Sequence, residues 1–165
     1  MTKKIITIII FTILFLSYTS AQTVEYTYRA LAAEGCSMKY CVAKQGGQYY
    51  IIATVSSDRM RFLKESSMLI RTFEGNDIKL DGNLLDNGTQ SSGIIVGNVV
   101  IPVTGIISSA QFKISEEQLK QLERGISKIR LTTIPIEHER TFKKDKIGNK
   151  IYKLYLQVKN KDTDF

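Results

Sequence analysis

The chain has 165 residues, of which 24% are charged and 43% hydrophobic, and it carries a formal net charge of +7. This composition is ordinary for a folded protein, and it excludes collagen-like, low-complexity and strongly charged disordered chains. A chain of this length is expected to form one domain that can bury a core of its own.

The first 21 residues are typical of a secretory signal peptide. Lys3 and Lys4 supply a positive start, residues 5–16 are apolar except for Thr7 and Thr12, and Thr19-Ser20-Ala21 offers small residues for cleavage. An uncleaved membrane anchor is the alternative, but the apolar stretch is shorter than the roughly 20 residues that span a bilayer. We therefore expect residues 1–21 to be removed and residues 22–165 to form a single β-rich globular domain that is periplasmic or secreted.

Cys36 and Cys41 are the two cysteines of the chain. In an extended strand they would lie roughly 16 Å apart, and a disulfide needs Cα atoms within about 7 Å, so a bond requires the chain to turn between them. Two cysteines in an exported chain favour a disulfide, and we predict a Cys36–Cys41 bond. Two separate small buried residues are the alternative.

The first half of the chain is predicted to be β-structure. Residues 23–30 alternate between apolar and polar side chains and are predicted to form the first strand. Gln45-Gly46-Gly47 predicts a hairpin turn. Residues 48–56 follow it and are apolar on both alternating faces, which is typical of a central strand covered on both sides. Residues 58–67 show no clean period and either extend this strand or form a loop.

The middle of the chain predicts two further hairpins. Gly75-Asn76 is a hairpin signal between two short strands. Residues 83–93 are rich in Asp, Asn, Ser and Gly and are predicted to be a polar loop. Residues 94–105 favour β-structure, with a tight turn at Gly97-Asn98 and with Pro102 at a sheet edge or bulge.

Residues 110–133 are predicted to fold as strand, capped helix and strand. Ser115 and Gln118 occupy the N-cap and N3 positions of a capping box, and Gly125 is the residue that ends the helix. A helix this short is marginal alone, so Leu119 and Leu122 must pack on the flanking strands. The apolar residues of those strands alternate with polar ones, as expected for half-buried strands: Ala110, Phe112, Ile114, Ile129 and Leu131.

Several segments around this helix resemble a group of small exported bacterial proteins of unknown function. They are Ile114-Ser115-Glu116-Glu117-Gln118-Leu119, then Gly125 with Lys128-Ile129-Arg130, and Phe142-Lys143-Lys144-Asp145-Lys146-Ile147-Gly148. The resemblance covers about the last third of the chain. It implies a similar architecture and supplies no mechanism, because the group has no established activity.

The last segment fits two patterns. Helical spacing is shown by Ile147, Ile151, Leu154 and Val158, whereas strand-like alternation is shown by Tyr152, Leu154, Leu156 and Val158. We predict a helix, with Asp145 near its N-terminus, where a negative charge is favourable. An interrupted pairing at Ile134-Pro135-Ile136 is expected before it, with residues 137–142 resuming as a strand.

Lysines crowd this last segment, with two tyrosines interleaved: Lys143, Lys144, Lys146, Lys150, Lys153, Lys159 and Lys161. One interpretation is a surface for anionic lipid, lipopolysaccharide or polysaccharide, contacted through Lys146, Lys150 and Lys153. The other is a solvated lysine face whose aliphatic stems cover core residues. Nucleic acid is not an expected partner of an exported chain.

The sequence offers few residues for catalysis. His138 is the single histidine and lies between Glu137 and Glu139; it could act as a base, but a lone histidine among charged neighbours on a strand is more typical of a solvated residue. Phosphate-binding loops, His/Cys metal clusters and nucleophile elbows have no match in the sequence. We therefore predict no catalytic residue, no cofactor and no metal ligand, although a carboxylate pair assembled by folding would leave no pattern in the sequence.

Together these features predict a mainly β fold, a β-rich α+β arrangement with an antiparallel sandwich-like sheet, a short inserted helix and a C-terminal helix. The expected function is that of an exported, non-catalytic binding or structural domain of the bacterial envelope. Its partner would be an envelope protein or an anionic glycan. A small envelope hydrolase with an unrecognised site, or a binder of anionic envelope polymers, is the alternative.

Overall fold

A computed structural model describes residues 23–28, 36–57, 62–96, 99–134 and 137–161. Its strands are β1 (Val24–Tyr28), β2 (Cys36–Gln45), β3 (Gln48–Ser57), β4 (Phe62–Thr72), β5 (Asp77–Val96), β6 (Val99–Ile114), β7 (Ile126–Ile134) and β8 (His138–Thr141). Its helices are α1 (Glu116–Gln121), continued by a 3-10 turn (Leu122–Arg124), and α2 (Gly148–Lys161). The predicted signal peptide lies outside the described residues.

The strands form one antiparallel sheet in the order β1-β2-β3-β6-β5-β4-β7-β8. The sheet curls, so the beginning of β4 crosses over β6, where the backbone N–H of Leu63 donates to Ser108 Oγ at 3.0 Å. This arrangement confirms the predicted mainly β fold with a short inserted helix and a C-terminal helix. No helix in the described ranges is both long enough and apolar enough to cross a membrane.

β5 links the two halves of the curled sheet. It pairs with β4 from Asp77 to Asp81 and with β6 from Gly82 to Val96. A Cβ atom placed on Gly82 would lie 2.1 Å from the carbonyl oxygen of Gln111. The backbones therefore approach too closely at this change of partner for any residue but glycine.

The prediction of a polar loop at residues 83–93 is wrong, because these residues are part of β5. They pair with β6 along their whole length, with a bulge between Leu84 and Asp86. The turn-forming residues of this segment give it a local propensity for a loop. That propensity is overridden by the strongly β-forming partner strand, because strand formation depends on cross-strand packing more than on the single residue.

Two of the predicted hairpin turns are present, and the turn predicted at Gly97-Asn98 lies outside the described residues. Gly46 and Gly47 have φ angles of 57° and 77°, as a two-residue turn between β2 and β3 requires. The turn between β4 and β5 is longer than its two-residue signal, since residues 73–76 separate the strands. Pro102 lies on the part of β6 that pairs with β5 alone, because β3 pairs with β6 only as far as Ile106. A proline is tolerated there because no ladder needs its missing N–H on the other side.

α1 begins with the predicted capping box. Ser115 Oγ accepts from the backbone N–H of Gln118 at 3.2 Å, and Gln118 Oε1 accepts from the backbone N–H of Ser115 at 2.9 Å. Gly125 follows the 3-10 turn with a φ of 80°. Leu119 and Leu122 are fully buried, which confirms that this short helix packs on the fold.

The core is one cluster to which both halves of the sheet and both helices contribute. Its largest fully buried side chains include Tyr40, Tyr155, Phe112, Met38 and Ile51. β3 lies inside the sheet between β2 and β6, as predicted, and its buried and half-buried residues alternate, so one of its faces is covered more completely than the other. Tyr50 and Ile52 lie on the outer face and remain partly open to solvent.

Candidate functional site

The lysines predicted to contact anionic ligands lie just before and on α2. Lys146 precedes the helix, and Lys150 and Lys153 lie on its exposed side. Lys143 and Lys144, between β8 and α2, are exposed as well. We refer to these five residues, Lys143, Lys144, Lys146, Lys150 and Lys153, as the lysine face.

The lysine face is not neutralised by ion pairs. Within the described residues, none of its members lies within 4.0 Å of a carboxylate oxygen. Other lysines in the described ranges do form such pairs, among them Lys39 with Glu25, Lys120 and Lys159 with Glu116, and Lys128 with Glu139. α2 itself contains no acidic residue that could offset its lysines at neighbouring helical positions.

Lys159 does not belong to this face, because it joins the two helices. Its Nζ donates to Glu116 Oε1 at 2.6 Å, and the hydroxyl of buried Tyr155 donates to the same oxygen at 2.9 Å. Hydrogen bonds from Lys159, then from Tyr155 and Lys120, lower the pKa of Glu116 to about 2. Lys159 therefore fastens the end of α2 to the start of α1.

Asp145 holds the start of α2 against β7. Its Oδ1 accepts from the backbone N–H groups of Ile126 at 3.0 Å and Gly148 at 2.8 Å, and its Oδ2 accepts from the backbone and side chain of Asn149 at 2.9 and 3.0 Å. Burial alone would raise the pKa of Asp145, but these hydrogen bonds outweigh it and lower the pKa below its ordinary value. We call this arrangement the Asp145 joint.

Two glycines make the Asp145 joint possible. A Cβ atom on Gly148 would lie 2.6 Å from the backbone nitrogen of Ile126, and one on Gly125 would lie 2.8 Å from Asp145 Cβ. Phe142 and Ile147, on either side of Asp145, are buried. Gly125, Asp145 and Gly148 thus meet at a structural contact.

An open cleft of about 460 Å³ lies beside the joint. It is lined by Glu25 of β1 and by the start of α2: Asp145, Lys146, Ile147, Asn149 and Lys150. Both oxygens of Asp145 already accept hydrogen bonds, so this carboxylate is not a free base. The cleft therefore presents two lysines, Lys146 and Lys150, beside the carboxylates of Glu25 and Asp145.

His138 is buried, at 1% exposure, so the prediction of a solvated histidine is wrong. β8 pairs with β7 and places His138 opposite Leu131 on the core side, whereas its neighbours Glu137 and Glu139 are exposed. Both carboxylates form ion pairs with Arg130. Neighbouring side chains of a strand lie on opposite faces of the sheet, so His138 is on the core side and its acidic neighbours are not. This alternation is hard to recognise in the sequence because β8 has only four residues.

The predicted Cys36–Cys41 disulfide is not seen in the structure. Both residues lie in β2, a continuous strand that pairs with β3 from Cys36 to Gln45, and Cys41 is a free thiol. The turn that a bond would require is absent between these two residues. Burial raises the pKa of the Cys41 thiol above its ordinary value, which disfavours the reactive thiolate.

The described residues contain no group of three or more His, Cys, Asp or Glu side chains that could hold a metal ion. Comparisons with models of protein families, with curated proteins and with solved structures find no match to the chain. The function must therefore be inferred from the surface of the protein itself.

Proposed function

We propose that this protein is an exported, non-catalytic binding domain of the bacterial envelope, and that its lysine face binds polyanions. The observation that carries the proposal is the group of five exposed lysines around the start of α2, none of which has a carboxylate partner among the described residues. Phosphate or carboxylate groups in series are the ligand chemistry that such a surface attracts.

The alternative interpretation, a purely solvated helix face, accounts less well for the charge pattern. Solvated helix faces commonly alternate lysine with glutamate at neighbouring helical positions, which gains a few tenths of a kcal/mol per pair. α2 has no such acid, and its other exposed positions are uncharged Asn149, Gln157 and Asn160. Acidic residues elsewhere in the chain pair with other cations, including Lys159 at the far end of the same helix.

Binding of the protein without its signal peptide to anionic surfaces tests this proposal. We expect it to bind vesicles that contain anionic lipid, or an acidic polysaccharide free of lipid, at low salt. It should be released at high salt, since the Debye length falls from about 10 Å at 0.1 M to about 3 Å at 1 M. The triple substitution Lys146→Gln, Lys150→Gln and Lys153→Gln should abolish binding and leave the free energy of unfolding nearly unchanged. The vesicle and polysaccharide arms separate a lipid headgroup from a glycan as the source of the anion.

A matched pair of double variants controls for net charge. Lys150→Gln with Lys153→Gln removes two charges from the lysine face, and Lys79→Gln with Lys113→Gln removes two exposed charges from β5 and β6. The first pair should weaken binding strongly and the second only slightly. Equal loss in the two would contradict a localised face and would leave net charge as the explanation.

Export is tested independently by the N-terminus of the protein in cells. We expect the envelope fraction to contain a chain that begins at Gln22, cut after Ala21, because small residues precede this position. N-terminal sequencing or intact mass measurement of that fraction checks it. A stable chain that retains Met1 in the envelope would rule out the predicted cleavage.

A further inference from the structure

The outer face of the sheet has a different chemistry in its two halves. On β4, β5, β7 and β8, exposed charged side chains form cross-strand ion pairs, as expected where a sheet faces water: Arg71 with Asp77, Lys128 with Glu139, and Arg130 with Glu139. In the middle of β2, β3 and β6, nine adjacent outward side chains include no charged residue. We call them the uncharged face: Cys41, Ala43, Tyr50, Ile52, Thr54, Ser56, Ile107, Ser109 and Gln111.

The uncharged face is partly open to solvent, since each of its nine residues is half-buried. α2 lies on the other side of the sheet, where the ring of Tyr155 contacts the ring of Tyr49 with centroids 5.3 Å apart. Charged residues border the face through their cross-strand partners: Lys39 opposite Thr54, Lys113 opposite Tyr50, and Asp86 opposite Ser109. A centre without charge inside a charged border is the pattern of a contact surface, because binding removes water from the centre.

The size of the uncharged face favours a small ligand over a folded partner. Three strands of about 4.8 Å width and seven residues of about 3.4 Å length give a surface of roughly 14 Å by 24 Å, or about 340 Å². A stable protein interface buries about 800 Å² on each partner. A second copy of the chain would therefore have to bury the charged border as well, at the cost of removing those charges from water.

The side chains of the uncharged face match the chemistry of sugar rings, which have apolar C–H faces and hydroxyl groups around them. Tyr50 and Ile52 offer apolar surface to the C–H faces. The hydroxyl groups of Thr54 and Ser109 are hydrogen-bonded to each other at 2.9 Å, and each retains lone pairs that can accept from a sugar hydroxyl. The amide of Gln111 adds donors and an acceptor. A ligand without charge is favoured because the face holds no charge to pair with an ion.

We propose that the uncharged face binds a neutral glycan chain that lies across β2, β3 and β6. This surface is separate from the lysine face, since α2 lies on the inner side of the sheet and the uncharged face on the outer side. The proposed ligand also differs from a polyanion in its chemistry. One copy of the protein can therefore hold a charged polymer on one side and an uncharged one on the other.

Titration calorimetry with soluble uncharged oligosaccharides tests this proposal. The probes are oligomers of glucose, of mannose and of N-acetylglucosamine, added to the chain without its signal peptide. We expect at least one of them to bind, with a Kd that changes by less than about twofold between 0.1 M and 1 M salt because no ligand charge is screened. Tyr50→Ala should raise this Kd by at least about tenfold, as loss of a central tyrosine does at many binding surfaces. Phe73→Ala removes an exposed ring between β4 and β5 and should change it by less than about twofold.

Two further measurements keep this proposal distinct from the binding of polyanions. The variant with Lys146→Gln, Lys150→Gln and Lys153→Gln should bind the neutral oligosaccharide as the unsubstituted chain does, so either surface can fail without the other. In NMR titrations, the backbone amide signals that shift should belong to β3 and β6 around Ile52 and Gln111. The proposal is overturned if none of the oligosaccharides binds, or if Tyr50→Ala and Phe73→Ala weaken binding equally. It is also overturned if sedimentation velocity shows a dimer that Tyr50→Ala dissociates, because the face then belongs to a second copy.

Discussion

Replacing Leu122 with alanine is expected to lower the free energy of unfolding by about 2–5 kcal/mol, the cost of removing a fully buried leucine side chain. Leu122 has no exposed surface, and it opens the 3-10 turn that packs against α2. A domain of this size typically has a free energy of unfolding of only about 5–15 kcal/mol, so this single change removes a large share of the stability.

The cost arises from a cavity that the surroundings cannot fill. The helical segment formed by α1 and the 3-10 turn that carries Leu122 is held at both ends, by the capping box at Ser115 and by the close approach of Gly125 to Asp145. α2 is in turn fastened to α1 through Glu116, so it cannot move inward freely. Because the surroundings cannot collapse into the cavity, most of the free-energy cost of the cavity remains. The expected loss of unfolding free energy therefore lies in the upper part of the range of about 2–5 kcal/mol.

Ser115→Ala provides the comparison. It removes the hydroxyl that accepts from Gln118 at the N-cap, and such caps contribute about 1 kcal/mol. Urea unfolding with linear extrapolation measures both variants on the same scale. If Leu122→Ala costs no more than Ser115→Ala, the helix does not depend on packing for its stability, and Leu122 is not the core residue that its burial indicates.

The features that the sequence predicts correctly are local ones. A capping box needs two residues three positions apart, and Gly46-Gly47 encodes its turn through backbone conformations that other residues avoid. The alternation of residues 110–114 likewise marks a half-buried strand without knowledge of its neighbours. Such signals act within a few residues, so they can be identified in a single sequence.

The features that the sequence does not predict depend on distant partners. Residues 83–93 contain turn-formers, yet they form a strand because β6 pairs with them. Cysteine count and export favour a Cys36–Cys41 bond, but pairing with β3 keeps both residues in one extended strand. Charged neighbours indicate a solvated His138, whereas its burial follows from the side of β8 that faces the core.

The candidate site likewise has one feature that the sequence can predict and others that it cannot. The lysine face can be predicted because its residues are close together in the sequence, and a surface helix leaves one side open. That Lys159 does not belong to the lysine face cannot be predicted from the sequence, since its partner Glu116 is 43 residues away. The change of β5 from pairing with β4 to pairing with β6 at Gly82 is hidden for the same reason, because both partners are set by distant parts of the chain.

Asp145→Ala is expected to lower the free energy of unfolding by about 2–6 kcal/mol. The substitution leaves the backbone N–H groups of Ile126 and Gly148 without their acceptor, and each buried donor so stranded costs about 1–3 kcal/mol. Ile126 and Gly148 are buried, whereas Asn149 is exposed and its N–H can bind water. Asp145→Asn keeps one oxygen as an acceptor and should therefore cost less.

The pH dependence of the unfolding free energy distinguishes the loss of the hydrogen bonds to Asp145 from a general loss of packing. Because the pKa of Asp145 is lowered in the folded protein, its contribution is complete above the unfolded pKa of about 3.9 and is lost as pH falls through the folded value. The difference in unfolding free energy between the unsubstituted protein and Asp145→Asn should thus be largest near pH 7 and shrink below about pH 4. Asp81→Ala removes an exposed carboxylate and should change stability by less than about 0.5 kcal/mol. If Asp145→Ala behaves like Asp81→Ala in urea unfolding, the joint does not hold α2 to β7, and the close glycine contacts alone must position the helix that carries the lysine face.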